Sequence, residues 1–259
     1  FVRLLSPDES AAARFPFGGQ VQQRWNFMGA GGFIKPGFRL EQMSEGQKTA
    51  AWDIVSAALS PRGLEKARDV MSLQQVLIEM GSSPNARSAE RYSFAIFGEP
   101  AQDQTWALRL EGHHLSLTFT VANDRLTGVT PSSFSVNPNR VGGGFRSGLV
   151  TLKREDDLAR KLAADLTGPV KDRAFFMQGD FFRNVRALAG REQPFETREG
   201  VPAADLTPAQ RDLLAEIIDA YTAEHLAALT AIGATAHHRR SFRPLRVDPD
   251  LFTSTEQPL

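Results

Sequence analysis

The sequence predicts an α+β fold, an antiparallel β-meander packed with several helices, and three observations carry this. Apolar residues recur at helical spacing behind capping-box signatures at Ser44 to Gln47 and Thr207 to Gln210. From Tyr92 the period changes to two, and Asn123-Asp124 stands as a tight-turn pair between alternating runs. The order helix, helix, strands, helix, helix keeps the strands contiguous and argues for an α+β layer arrangement.

In chain order, the first forty residues are rich in Gly, Pro and aromatics, through Phe15-Pro16-Phe17-Gly18-Gly19, Trp25-Asn26-Phe27 and Gly29-Ala30-Gly31-Gly32, and read as a loop packed by aromatics. Ala51, Trp52, Val55 and Leu59 define a helix near 45 to 59, stopped by Ser60-Pro61-Arg62-Gly63. Ser72 with Gln75 repeats the capping signature ahead of Val76, Leu77 and Met80, predicting a second helix that Gly81 closes in a left-handed conformation. Tyr92 to Phe97 is a strand, Trp106 to Val121 a long one, and Leu126 to Thr130 a third, joined to it by the Asn123-Asp124 turn. Leu158, Leu162 and Leu166 mark an amphipathic helix whose opening acids, Glu155 to Asp157, suit the helix dipole. Residues 171 to 200 carry no assignable period. Thr207-Pro208 opens a helix expected to run to about Gly233. The chain is thus read as a single α+β domain over 1 to 233 with an irregular tail over 234 to 259.

Composition bounds the function. Thirty basic and thirty acidic residues cancel, which argues against a dedicated nucleic-acid binder. With no cysteine, thiolate metal sites, disulfides and cysteine nucleophiles are excluded, so chemistry falls to His, carboxylates, hydroxyls, Arg and Lys. The apolar runs fall short of the ~20 residues that span a bilayer. A start at Phe1 is expected of a fragment or processed product, so localisation is not read from the chain.

The chemically loaded stretch is Glu111-Gly112-His113-His114. Trp106, Leu108 and Leu110 are apolar on one parity, and Leu115, Leu117, Phe119 and Val121 on the other, so the buried face switches near Gly112. A β-bulge at the glycine explains such a switch and would gather Arg109, Glu111, His113 and His114 around one irregular point. Neutral imidazoles and a carboxylate are competent ligands for a divalent zinc, iron or copper ion. The plainer reading makes both histidines hydrogen-bonded sheet residues and pairs Glu111 with Arg109.

Other constellations carry less. Gly142-Gly143-Gly144 before Phe145-Arg146-Ser147-Gly148 could cradle an anion but lacks the Walker lysine and the dinucleotide spacing, and a flexible turn is the simpler reading. Ser147 fails the Gly-x-Ser-x-Gly spacing, and no His-Glu-x-x-His occurs. His237-His238-Arg239-Arg240 reads as a solvated basic stretch and His225 as an ordinary helix residue.

Several stretches together resemble an uncharacterised, largely bacterial family, domain of unknown function 3500. They are Arg24-Trp25-Asn26-Phe27, Met71-Ser72-Leu73, Phe94 to Pro100, Trp106 to Phe119 with Glu111-Gly112-His113-His114-Leu115-Ser116-Leu117, Thr130-Pro131 and Asn137-Pro138, spanning roughly 20 to 232. The resemblance implies no activity. It implies further strands past the last helix bearing a His-x-His motif and a Trp-Arg pair, and this sequence departs there, with His237-His238 and a Pro-containing tail instead. What it carries over is Glu111, His113 and His114, with Trp106, Arg109 and Asn137 as neighbours.

Two functions follow. One is a metal-dependent enzyme acting on a small molecule, with His113 and His114 as ligands, Glu111 as ligand or general base, and Arg109 or Arg24 beside Trp25 holding an anionic group. The other is a metal-free binding or structural protein whose Trp25, Phe27, Trp106 and Phe134 line a pocket or fill the core. Neither reading calls for nucleic acid or a membrane.

Overall fold

The computed structural model describes residues 1–26, 35–175 and 200–225. The tail expected over 234 to 259, most of the unassigned stretch before 200, and Phe27 lie outside the described residues. The described residues group into two compact units, one of residues 1–152 with 224–225, the other of residues 153–175 with 200–223.

The first unit opens with a helix the aromatic loop reading missed. Ser6 caps α1 (Pro7–Ala13): its hydroxyl accepts from the Glu9 N–H while the Glu9 carboxylate accepts from the Ser6 N–H. After β1 (Arg14–Phe15) comes a single helical turn, α2 (Gln20–Gln23), then β2 (Phe38–Arg39). Ser44 and Gln47 form the expected capping box of α3 (Glu45–Ala58).

Helix α4 (Pro61–Glu79) corrects the expected second helix. The Ser60-Pro61 pair that stops α3 also starts α4: the Ser60 hydroxyl accepts from the Gly63 N–H at 3.0 Å, and Pro61 takes the first helical position, where a missing N–H costs nothing. Ser72 lies inside the helix, its hydroxyl donating to the Asp69 carbonyl. The C-terminus is as expected: Gly81 has φ +99°, and the Gly81 and Ser82 amides donate back to Ile78 and Leu77 in a Schellman motif.

The sheet runs β1-β3-β4-β5-β6, with β3 (Ser93–Phe97), β4 (Thr105–Gly112), β5 (Leu115–Ala122) and β6 (Arg125–Phe134) antiparallel in succession. β1 is parallel and β2 antiparallel to β3, sharing its remaining edge. The expected long strand with a bulge at Gly112 is two strands and a two-residue turn, His113-His114. Leu110 faces Leu117, Leu108 faces Phe119 and Trp106 faces Val121, so every register pair joins an even with an odd number. The switch of buried parity is therefore the signature of the hairpin itself. Register irregularities do occur, between Leu117 and Phe119 and between Thr120 and Val121, on the β5–β6 side.

One sheet face, with Phe94, Ile96, Leu108, Leu110, Leu117 and Phe119, packs into the core with Ala51 and Val55 of α3 and Ala67, Val70 and Met71 of α4. Each such buried Leu or Phe stabilises the unit by about 2 kcal/mol on area alone. Beside it Lys66 of α4 forms a buried ion pair with Glu224 and stands 5.6 Å over the Phe134 ring. Gly63 is required there, since a Cβ would meet the Glu224 carbonyl at 2.6 Å.

In the second unit α5 (Lys153–Asp165), α6 (Gly168–Ala174) and α7 (Pro208–Thr222) follow in order, and α5 packs on α7. The Thr207–Gln210 capping box forms as expected, and the Gln210 side chain also donates to the Asp165 carbonyl at 3.0 Å. Helix α7 ends at Thr222, short of the expected run to about Gly233, whose residues 226 to 233 lie outside the described residues. Among the described residues no helix is long and apolar enough to cross a membrane.

Candidate functional site

The two faces of the β3–β5 sheet separate the residues expected to converge. Arg109, Glu111, Ser116 and Thr118 alternate with the apolar residues, so they share the second face, and all four are at most 1% exposed. Segment 20–26 lies on that face. The Arg109 guanidinium donates to Thr118 Oγ1 at 2.8 Å and to the carbonyls of Val21 and Gln22, and stands 5.0 Å over the Phe97 ring. The Glu111 carboxylate accepts from the Asn26 N–H at 2.7 Å and pairs with Lys35 at 3.5 Å and Arg109 at 3.7 Å. Lys35 in turn donates to the backbone and side-chain oxygens of Asn26. Burial pushes the Lys35 ammonium down to about 8 against the pull of Glu111. These charges clamp the N-terminal segment to the sheet.

His113 and His114 occupy the turn and engage the other side. His113 Nδ1 is 3.0 Å from Oε1 of the buried Gln74 on α4, and the Tyr92 hydroxyl donates to the His113 carbonyl. His114 has φ +66°; its Nδ1 is 2.7 Å from Ser135 Oγ, and its carbonyl accepts from the Ser135 N–H at 2.8 Å. The ring centroids are 3.9 Å apart. Burial pushes His113 down to about 3, helped by His114, Arg87 and Lys35, and His114 down to about 4, helped by Arg87. Both imidazoles are neutral at ordinary pH, the form that binds metals or takes up a proton. Gly112 makes the arrangement possible by close approach rather than by a bulge, since a Cβ there would stand 2.3 Å from the Tyr92 ring.

The structure therefore brings His113 to His114 but does not bring Glu111 to either. Among the described residues no group of three or more His, Asp or Glu is placed to hold a metal ion. Arg109 sits beside Glu111 as the plainer reading had it, with its guanidinium committed to the clamp. Arg24 is exposed and Trp25 half-buried, both next to Asn26 on the clamp side. Trp106 lies six residues along β4 from Gly112, about 20 Å at the usual strand rise. Asn137 is exposed, two residues beyond Ser135. The Gly142 to Gly148 loop already holds an anion of its own: the Phe145 N–H donates to the Glu79 carboxylate at 2.9 Å, and Arg146 pairs with Asp69. His225 bonds Ser132 Oγ at 2.7 Å.

Gln74, Tyr92, Arg87 and Ser135 were not among the expected site residues. Gln74 had a readable signal, a polar residue in register with the apolar stripe Ala67, Val70 and Met71 of α4. The others have none, because only the hairpin brings them to the turn.

No curated protein and no solved structure is significantly similar to the chain. A family model described as "Protein of unknown function (DUF3500)" matches residues 1–241, nearly the whole chain, and the protein belongs to that family.

Proposed function

We propose that the chain is a metal-dependent enzyme acting on a small molecule at the tip of the β4–β5 hairpin, with His113 and His114 as ligands of a divalent zinc, iron or copper ion. The observation that carries this is the pair of neutral imidazoles 3.9 Å apart, each with Nδ1 held by an oxygen of a neighbouring side chain. An Nδ1–H given to Gln74 Oε1 puts the His113 lone pair on Nε2, the tautomer a metal ligand needs, and such oxygen partners typically orient ligating imidazoles. A bound ion would polarise a substrate oxygen or activate water. Glu111 has no part in this reading, since Asn26 and Lys35 hold its carboxylate on the other face.

A metal-free binding protein is the second reading, favoured by one observation: two imidazoles make a sparse ligand set, and the described residues supply no third. Elemental analysis by plasma mass spectrometry, before and after dialysis against a weak chelator, decides between them. The enzyme reading expects near-stoichiometric metal that disappears in His113→Ala and His114→Ala. A well-folded protein that retains no metal would leave the binding role.

A further inference from the structure

Most serine hydroxyls with a hydrogen bond here serve the backbone. Those of Ser6, Ser44 and Ser60 cap helices, and those of Ser56, Ser72 and Ser93 donate to carbonyls. Ser132 differs: its exposed hydroxyl stands 2.7 Å from Nε2 of His225, 93 residues away. Ser135 also meets an imidazole, but its hydroxyl is shared with the His114 carbonyl at 3.4 Å. Both members of the Ser132–His225 pair are placed by contacts within the first unit. The Glu224 carbonyl accepts from the Ser60 N–H at 2.7 Å, and Gly63 leaves it room at the first turn of α4. One turn on, Lys66 pairs with the buried Glu224 carboxylate, so the backbone that carries His225 is fixed. Ser132 faces Leu117 and Phe134 faces Leu115, which puts both on the core face of the sheet, and at the margin formed by the last strand the Ser132 hydroxyl is open to solvent. His225 Nδ1 is buried and makes no hydrogen bond, so Ser132 is the partner of this ring among the described residues. Burial, with the charge of Lys66, holds the imidazole below its ordinary value, and it is a free base at neutral pH.

We propose that Ser132 and His225 form a nucleophile and base pair that cleaves esters of small carboxylic acids, a site separate from the hairpin tip and independent of any metal. A serine hydroxyl within hydrogen-bond reach of a neutral imidazole is the arrangement that activates the oxygen. With its proton on Nδ1, the ring takes the Ser132 proton at Nε2 as Oγ bonds to the acyl carbon. The acyl C–O bond then breaks, and the departing alcohol carries that proton away. Water attacks the acyl-serine in turn, giving one proton to His225 and releasing the carboxylic acid, and His225 returns the proton to Ser132 Oγ. Among the described residues no carboxylate meets Nδ1 to stabilise the imidazolium, which suits the easier leaving group of an ester rather than an amide.

The test is covalent labelling of the full, chelator-treated chain with a fluorophosphonate, in which a P–O bond to serine replaces the P–F bond and hydrogen fluoride is lost. Peptide mass spectrometry locates the adduct, and p-nitrophenyl acetate reports turnover. The expected result is an adduct on Ser132, absent in Ser132→Ala together with the ester turnover, and formed about 100-fold more slowly in His225→Gln, which keeps a polar partner for the hydroxyl without the base. In the parent protein the labelling rate should reach a plateau above about pH 6.5, once the imidazole is neutral. A folded chain that takes no label on Ser132, an unchanged rate in folded His225→Gln, or a rate that climbs with hydroxide and shows no plateau overturns the proposal. The pH profile uses the unaltered chain and decides the matter if His225→Gln does not fold.

Discussion

The sheet reverses twice through two-residue turns, at Asn123-Asp124 and at His113-His114, and the two differ in what holds them. Asn123 and Asp124 have φ of +50° and +58°, both in the left-handed region that a two-residue hairpin favours and that these residue types tolerate, and both are exposed. Local chemistry suffices there. His113-His114 has only one residue in that region, His114, and both side chains are half-buried. Its geometry is imposed from outside, by Gln74 of α4, by Ser135 beyond β6 and by the Tyr92 hydroxyl. A turn that uses unsuited residues and anchors them by tertiary contacts is where function is to be sought.

The largest expected effect comes from the residue that precedes each turn. Ala122 stands before Asn123, whereas the equivalent Gly112 lies against the Tyr92 ring. Gly112→Ala should destabilise the protein by about 3 kcal/mol in urea unfolding, because the ring is enclosed by core and has nowhere to move. A variant as stable as the parent would show that the close approach places no demand on the sequence.

Acid should separate the turns next. The folded values of about 3 for His113 and about 4 for His114 lie below the ordinary 6.5, so the unfolded chain binds more protons between these limits. Stability is fully present above about pH 6.5 and falls as pH drops toward 3. Urea midpoints of chelator-treated protein across that range should show the slope, and His114→Gly should flatten it. An equal slope in that variant would place the acid sensitivity elsewhere.

The smallest effects sharpen the contrast most. Asp124→Gly removes the left-handed cost at an exposed position and should stabilise by about 0.5 to 1 kcal/mol. His114→Gly relieves a similar cost but loses the Ser135 contact, so its stability should stay within about 1 kcal/mol of the parent while metal binding falls away. Equal stabilisation by both glycines, with binding intact, would make the two turns equivalent and remove the case for a site.

Much of the frame was legible in the sequence. Ser44 and Thr207 announce their helices because a capping box is a contact three residues long, and Asn123-Asp124 announces its turn through dihedral preference. The reading failed where one signal has two meanings. Ser60-Pro61 is both a stop and a start, and a parity switch fits either a bulge or a hairpin, since both displace the register by an odd step. The imidazoles were found as a pair, but Glu111 was assigned to them because it is near in sequence, while alternation along β4 sends it to the opposite face.

By itself, then, the sequence determined the α+β class, the helix starts with true caps and the sheet region from Tyr92 onward, because each of these rests on spacings of a few residues. Only the tertiary structure decided that His113-His114 is a turn, that Arg109, Glu111 and Lys35 clamp segment 20–26, and that Gln74 and Ser135 meet the imidazoles. Those contacts join residues about 20 to 90 positions apart, and no local preference encodes which distant partner a folded chain will bring to a given side chain.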